Sequence, residues 1–400
     1  MNSINIGLLR EGKCPPDRRV AFSPVQCMSI LNNYPDISIY IQPSDNRCFS
    51  DLEYTKNGVV VKEDLSTCDI LMGIKEVPVD MLINDKIFFF FSHTIKKQPY
   101  NKLLLKSIVN KNIQLIDYET LIDSSNKRLI GFGRYAGIVG CYNTFLAYGK
   151  KTKKYNLEFA QLLENKFQLD KELLKVSLPK DFKIILTGSG RVANGAIEIL
   201  DLLGVKKVNK FDFINLNLNQ PIYVQLDSFD CVKKIDGSIG SKEDFYNYPN
   251  SYVSRLSHYT TFADMLITGH YFAPNNPFLL TKDDINDIEF NVKVVGDISC
   301  DIDGPIACTI RPSTIENPLY GYNPKTGLED DYSKDNNIVV MAVDNLPCSL
   351  PRDASIDFGE VFVNKILPDL LNEQTIIKRA TITSAGKLTN RFKYLSDYIK

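Results

Sequence analysis

Along most of the chain, short apolar runs alternate with stretches whose apolar positions recur every three or four residues. INIGLLR, ISIYIQ, VVVK, DILMGIK, KIFFFFS and NIQLID read as strands, being short, apolar and bounded by polar or turn residues, and 24–32 between the first two reads as a helix. Strands alternating with helices predict a parallel, doubly wound sheet for the first third. The alternation resumes at KIILT, Lys183–Thr187, and an amphipathic stretch, RVANGAIEILDLLG, follows and stops at Gly204. A further strand-like run at 205–211 ends at Asp212, and MLITGHYF and KVVGDIS read as later strands of the same sheet. The polar, aromatic-rich span 213–262 reads as an insertion of helices and loops. After IVVMAVDNLPCSLP the chain becomes amphipathic, and FGEVFVNKILPDLL has helical spacing.

Between strand 183–187 and its helix lies Gly188-Ser189-Gly190. A strand, a glycine turn and a helix in that succession suit a dinucleotide: Gly188 permits the tight turn, Gly190 lets the backbone approach a pyrophosphate, and small Ala193 allows close helix-sheet packing. The helix N-terminus offers free N–H groups and the positive end of its dipole. Asp212, about 20 residues beyond the turn, stands where an acid holds ribose hydroxyls. An α/β turn that binds nothing has the same local pattern, so the reading rests on the whole succession. The second glycine-rich segment, GFGRYAGIVGCYN at 131–143, has lysines where an acid is needed and reads as a hinge or interdomain packing site. The expected architecture is α/β, with two Rossmann-like domains built on parallel doubly wound sheets and a cleft between them. The first domain covers 1–140 and is completed by 345–400; the dinucleotide-binding domain covers 141–344.

Composition narrows the partners. The 400 residues carry 47 basic and 48 acidic side chains, so no electrostatic pull toward nucleic acid or an anionic membrane is expected. No apolar run reaches the roughly 18 residues of a membrane span. Residues 1–10 read as a first strand, so no leader is expected. Nine scattered cysteines without a C-x-x-C pair suit free thiols in a reducing cytoplasm, and no metal site is expected.

Histidine chemistry is quickly enumerated, since the chain has only His93, His258 and His270. DILMGIK ends at Lys75 and KIFFFFS ends just before His93, so a lysine and a histidine project from the carboxyl ends of successive strands, where open α/β sheets gather ligands. Such a pair can handle protons near neutrality; a surface lysine and a packed histidine give the same spacing. The loop LLREGKCPPDRRVAFSP gathers Arg10, Glu11, Lys13, Arg18 and Arg19, suited to carboxylate capture or to plain solvation.

Over nearly its whole length the chain resembles the lysine-2-oxoglutarate reductase family, the lysine-forming saccharopine dehydrogenases, within the alanine dehydrogenase superfamily. The resemblance rests on Glu11, Lys13, Arg19, Ala21, Ser23 and Pro24 of the opening motif, IKEVP at 74–78, FSHTIKKQPYN, RLIGFGRYAGIVG, GSGRVANGA, SRLSHYTTF, GDISCDIDGPI, DNLPCSLPRDAS and ATITSAGKL. It implies a nicotinamide-dependent oxidoreductase acting on small amino acid and 2-oxo acid substrates, with Lys75 and His93 catalytic and Arg19, Glu76 and Lys96 binding substrate. It further implies cofactor contacts from Arg128, Gly188, Gly190, Arg191, Val192, Asp212, Asp297, Ile298, Asp344, Leu346 and Pro347. NAD is preferred over NADP on account of Asp212, although the bifunctional reductases of the family use NADP. A reductase part without the saccharopine-oxidising partner domain is implied as well, and an oligomer is compatible with all of this. Related opine-forming or alanine dehydrogenase-like enzymes share the opening motif, Lys75 and His93; a non-catalytic nucleotide-binding regulator is the alternative of another class.

Overall fold

The computed structural model describes residues 3–12, 17–273 and 275–400, so Lys13 of the opening motif lies outside the described residues. The chain divides into two compact units, Met1–Phe132 with Pro351–Lys400, and Gly133–Leu350. The breaks expected at 140 and 345 fall inside the second unit: helix Gly133–Thr152 and the turn Leu346–Ser349 both belong to it whole.

In the first unit, β1 (Ile4–Leu8), β2 (Ile37–Ile41), β3 (Val60–Val61), β4 (Ile70–Met72), β5 (Ile87–Phe90) and β6 (Gln114–Asp117) pair in parallel in the order β3-β2-β1-β4-β5-β6. Helices α1 (Pro24–Asn33), α2 (Asp51–Lys56) and α3 (Lys102–Asn110) connect them. Ser23 caps α1 through a capping box with Gln26, and Ser50 does the same for α2 with Glu53, which satisfies N–H groups a helix start leaves open. The continuous apolar run of β5 is explained by burial on both faces. Phe89 packs with Phe22, Phe358 and Phe362 on one side, while Phe88 and Phe90 pack with Leu104, Leu105 and Ile108 of α3 on the other. Within this sheet the strand order reverses between β1 and β4.

The second unit opens with α4 (Gly133–Thr152) and α5 (Lys166–Leu173), followed by β7 (Lys183–Thr187), α6 (Arg191–Leu202), β8 (Lys206–Val208), α7 (Lys210–Asn215) and β9 (Ile222–Leu226). A small antiparallel pair, β10 (Val232–Lys234) and β11 (Tyr252–Ser254), precedes β12 (Met265–Thr268), β13 (Val294–Asp297), β14 (Leu319–Asn323), β15 (Leu328–Asp330) and β16 (Ile338–Met341). Its main sheet runs β16-β13-β12-β7-β9-β8 in parallel, with β14 and β15 added antiparallel beyond β16. The order reverses between β7 and β12. After Pro351 the chain returns to the first sheet, where β17 (Thr381–Ser384) joins β6 antiparallel and β18 (Lys387–Leu388) follows it. Both sheets are thus parallel in the middle with an antiparallel edge, the two Rossmann-like units that the alternation predicts.

One expectation needs correction. The span 213–262 is not wholly an insertion, because β9 lies in it and is a central strand beside β7. The glycine-rich segment 131–143 contains the division between the units, at 132/133, and inside the second unit its Gly137 lets α4 cross α6. A Cβ on Gly137 would stand 1.9 Å from the Val192 carbonyl oxygen, and one on Gly195 would stand 2.0 Å from that of Arg134. Only bare backbone fits at that crossing.

Candidate functional site

In the first unit the charged groups collect at the carboxyl ends of adjacent strands, around the point where the order reverses. Glu11 follows β1 and Lys75 follows β4. The Glu11 carboxyl accepts the backbone N–H of Ile74 at 2.6 Å and that of Lys75 at 2.9 Å, which fixes the loop carrying Lys75 against the end of β1. Burial, reinforced by the nearby Asp17 charge, pushes Glu11 up to about 8 against the lowering effect of those N–H donors and Arg19. His93 follows β5 with a left-handed backbone, φ 51°, a conformation in which non-glycine residues are strained. Its neighbours hold it there: buried Asp117, at the end of β6, accepts the Ser92 N–H at 2.8 Å and the Ser92 hydroxyl at 2.5 Å. Burial raises the Asp117 carboxyl above the usual aspartate range against the Ser92 and Glu119 hydrogen bonds that lower it. His93 Nδ1 lies 2.7 Å from Glu76 Oε1, so Glu76 orients the imidazole.

The two cations expected at the substrate, Lys96 and Arg19, divide, and Arg128 falls in with Lys96. Lys96 Nζ and Arg128 Nη1 stand 3.4 and 3.5 Å from the same Glu119 oxygen, with their side chains half-exposed or more than a third exposed. Arg19 is buried, paired with Asp17 through Nε at 2.9 Å and Nη2 at 2.5 Å, and laid over the Phe132 ring. Arg128, expected beside the cofactor, therefore shares its anion with Lys96. Arg10 of the opening loop is engaged by Glu63.

In the second unit the glycine turn has the geometry that the pattern predicts. Gly188 has φ +91°, and a Cβ there would meet the Gly269 carbonyl oxygen at 2.4 Å. A Cβ on Gly190 would meet nothing within 4 Å, so open space lies over the N-terminus of α6, where Arg191 and Val192 begin the helix. That open, donor-lined turn fits a pyrophosphate. Asp297 and Ile298 end β13 next door. Both Asp297 oxygens are used within the unit, by Thr268 Oγ1 at 2.5 Å and Thr309 Oγ1 at 2.6 Å. Ile298 packs with Leu346 against Gly140 of α4, which places Leu346 and Pro347 as buried support, while Asp344 is exposed beyond β16.

Asp212 is displaced from its expected place. The strand before it stops at Val208, and Asp212 sits in the first turn of α7, bonded to Asn209, its N-cap. Strand β8 also lies outside β9, so it is not the neighbour of β7. The acid that ends the neighbouring strand is Asp227, which accepts the N–H groups of Phe229 and Asp230 and the Lys242 ammonium at 3.0 Å. Despite partial burial, these donors hold its carboxyl below the ordinary range. The signal was present in PIYVQLD, an apolar run closed by an acid, but spacing alone put the acid nearer the turn.

His270 also lies outside the expected set. It follows β12 directly across the reversal from Gly188, and its Nδ1 is 2.6 Å from Thr187 Oγ1 at the end of β7. His258, by contrast, is exposed between the rings of Tyr259 and Phe262. Among the described residues no group of three or more His, Cys, Asp and Glu side chains could hold a metal ion.

Residues 7–139 match the family "Alanine dehydrogenase/PNT, N-terminal domain". The chain is homologous to the alpha-aminoadipic semialdehyde synthase, mitochondrial, of Rattus norvegicus, at 29% identity over 443 residues, covering 98% of this chain and 47% of that protein. It is likewise homologous to the saccharopine dehydrogenase [NAD(+), L-lysine-forming] of Candida glabrata, at 26% identity over 410 residues and 97% of each. The chain spans about half the length of the synthases it matches. In fold it resembles a solved L-alanine dehydrogenase, with a TM-score of 0.64 at 14% identity, covering 99% of this chain and 100% of that one. The proteins this chain is similar to thus include dehydrogenases acting on amino acids, and its fold is similar to that of the solved L-alanine dehydrogenase.

Proposed function

We propose that the chain is a nicotinamide-dependent dehydrogenase of the lysine-forming saccharopine type, interconverting lysine plus 2-oxoglutarate with saccharopine. The observation that carries this reading is the His93–Glu76 pair beside Lys75 at the strand-order reversal of the first unit, joined in one chain to an open glycine turn in the second. In the synthetic direction the ε-amine of lysine adds to the ketone of 2-oxoglutarate, water leaves, and the imine carbon accepts a hydride. The reduced nicotinamide supplies that hydride when bound. Lys75 and His93 move the protons: one takes a proton from the attacking ammonium, and the other gives a proton to the departing hydroxyl. Glu76 holds Nδ1 of His93, so Nε2 is the nitrogen that faces substrate. Carboxylate binding falls first to Lys96 and Arg128, whose side chains are 50% and 38% exposed, whereas Arg19 is already clamped by Asp17. NADH is the favoured reductant, now on account of Asp227, whose charge opposes a 2′-phosphate and accepts ribose hydroxyls.

The test is oxidation of NADH or NADPH with 2-oxoglutarate and each of lysine, ornithine, arginine and ammonia. Lysine is expected to give the highest kcat/KM. Turnover with pyruvate and ammonia but none with lysine would refute the proposal in favour of an alanine dehydrogenase-like activity.

A further inference from the structure

The imidazole of His270 is an unexplained polar group in the second unit. The residue is only 7% exposed, and Nε2 is buried with no hydrogen-bond partner among the described residues. A buried nitrogen left so is unfavourable, and native proteins rarely retain one without a use. Its location supplies the use. His270 follows β12, Gly188 follows β7, and these adjacent strands are where the order of the sheet reverses, the place at which open α/β sheets receive ligands. The two loops touch: a Cβ on Gly188 would lie 2.9 Å from the His270 backbone nitrogen. The tautomer follows from the partner. The Thr187 hydroxyl is buried and, among the described residues, Nδ1 is its one hydrogen-bond partner, so placing the hydroxyl proton on a partner makes Nδ1 the acceptor. Burial keeps the ring neutral, outweighing the nearby Asp297 charge. The proton therefore resides on Nε2.

We propose that His270 is a cofactor-binding residue, its Nε2–H donating to an acceptor oxygen of the pyrophosphate or adjoining ribose of a dinucleotide seated on the glycine turn. The inference rests on the dinucleotide reading of the second unit and deepens it. His270→Asn keeps a group near Nδ1 for Thr187 but has none at the Nε2 position; His270→Gln reaches that position with an amide donor. NADH fluorescence titration should give a dissociation constant about ten- to hundredfold weaker for His270→Asn and one close to wild type for His270→Gln. Melting without ligand monitors the fold of both. In wild-type protein labelled with 15N-histidine, saturating NADH should shift the Nε2 resonance of His270, and this readout needs no variant to fold. Equal NADH affinity in wild type and His270→Asn, or an Nε2 resonance unmoved at saturation, overturns the proposal while leaving the dinucleotide site standing. A wild-type protein that binds neither NADH nor NADPH removes the dinucleotide reading and this inference with it. ADP tests which oxygen is met: a loss in His270→Asn that persists with ADP supports the pyrophosphate, and one that vanishes supports the ribose beyond it.

Discussion

Adding one methyl group at Gly188 and at Gly190 should separate folding from ligand binding. At Gly188 the new Cβ would be 2.4 Å from the Gly269 oxygen, 2.6 Å from its carbonyl carbon and 2.9 Å from the His270 nitrogen, all backbone atoms of the adjoining strand end. Relief therefore requires β7 and β12 to separate. The φ of +91° adds strain that an L side chain cannot avoid. Strain of about 1–2 kcal/mol and overpacking of about 2–3 kcal/mol sum to roughly 3–5 kcal/mol. For a unit of this size that corresponds to a fall in Tm of roughly 6–20 °C. At Gly190 the Cβ meets nothing within 4 Å, so Gly190→Ala should hold its stability to within about 1 kcal/mol. Its methyl occupies the space proposed for the pyrophosphate, so NADH binding should weaken while the melt stays put. Differential scanning fluorimetry and NADH titration on both variants decide the matter. A Gly188→Ala protein that melts with wild type refutes the steric reasoning, and a Gly190→Ala protein that binds NADH as wild type does shows that the pyrophosphate passes elsewhere.

Lys75→Met and His93→Gln should each lower lysine-dependent turnover by about 10²–10⁴-fold while NADH affinity stays near wild type, because general acid-base groups act on rate; nearly full turnover would leave them as a surface lysine and a packed histidine. Asp227→Ala should improve NADPH binding relative to NADH by roughly tenfold or more, and Asp212→Ala should change neither constant, as measured by paired titrations. Glu11 titrates at about 8 in the fold against an ordinary 4.5, so the folded chain holds a proton that the unfolded chain releases between those values. Its contribution to stability is full below about 4.5 and is lost as pH rises toward about 8. Urea unfolding of wild type and Glu11→Gln at pH 5.5 and 8 should then show wild type losing ground at the higher pH; a pH-independent difference would mean that Glu11 is already ionised.

Much of this protein is legible in one dimension because its signals are local. Apolar runs such as KIFFFF and KIILT must be buried on both faces, and that alone marks them as strands of a covered parallel sheet. A glycine that must take φ +91° and a turn that must stay open are likewise written in Gly188 and Gly190. The places of Lys75 and His93 were legible for the same reason: each follows a readable strand, and the carboxyl ends of parallel strands lie on one edge. Strand order is another matter, since it depends on which faces pack together across long separations. Counting along the chain put the candidate ribose acid at Asp212, whereas the pairing of β7 with β9, across the intervening β8 and α7, leaves Asp227 as the acid at the end of the neighbouring strand. The pairing of His93 with Glu76, the seat of Glu11 under the Lys75 loop, and the meeting of His270 with Thr187 also join residues 17 to 83 positions apart. Such contacts exist only once parallel strands are laid side by side, because no local preference of the backbone encodes which strand becomes the neighbour.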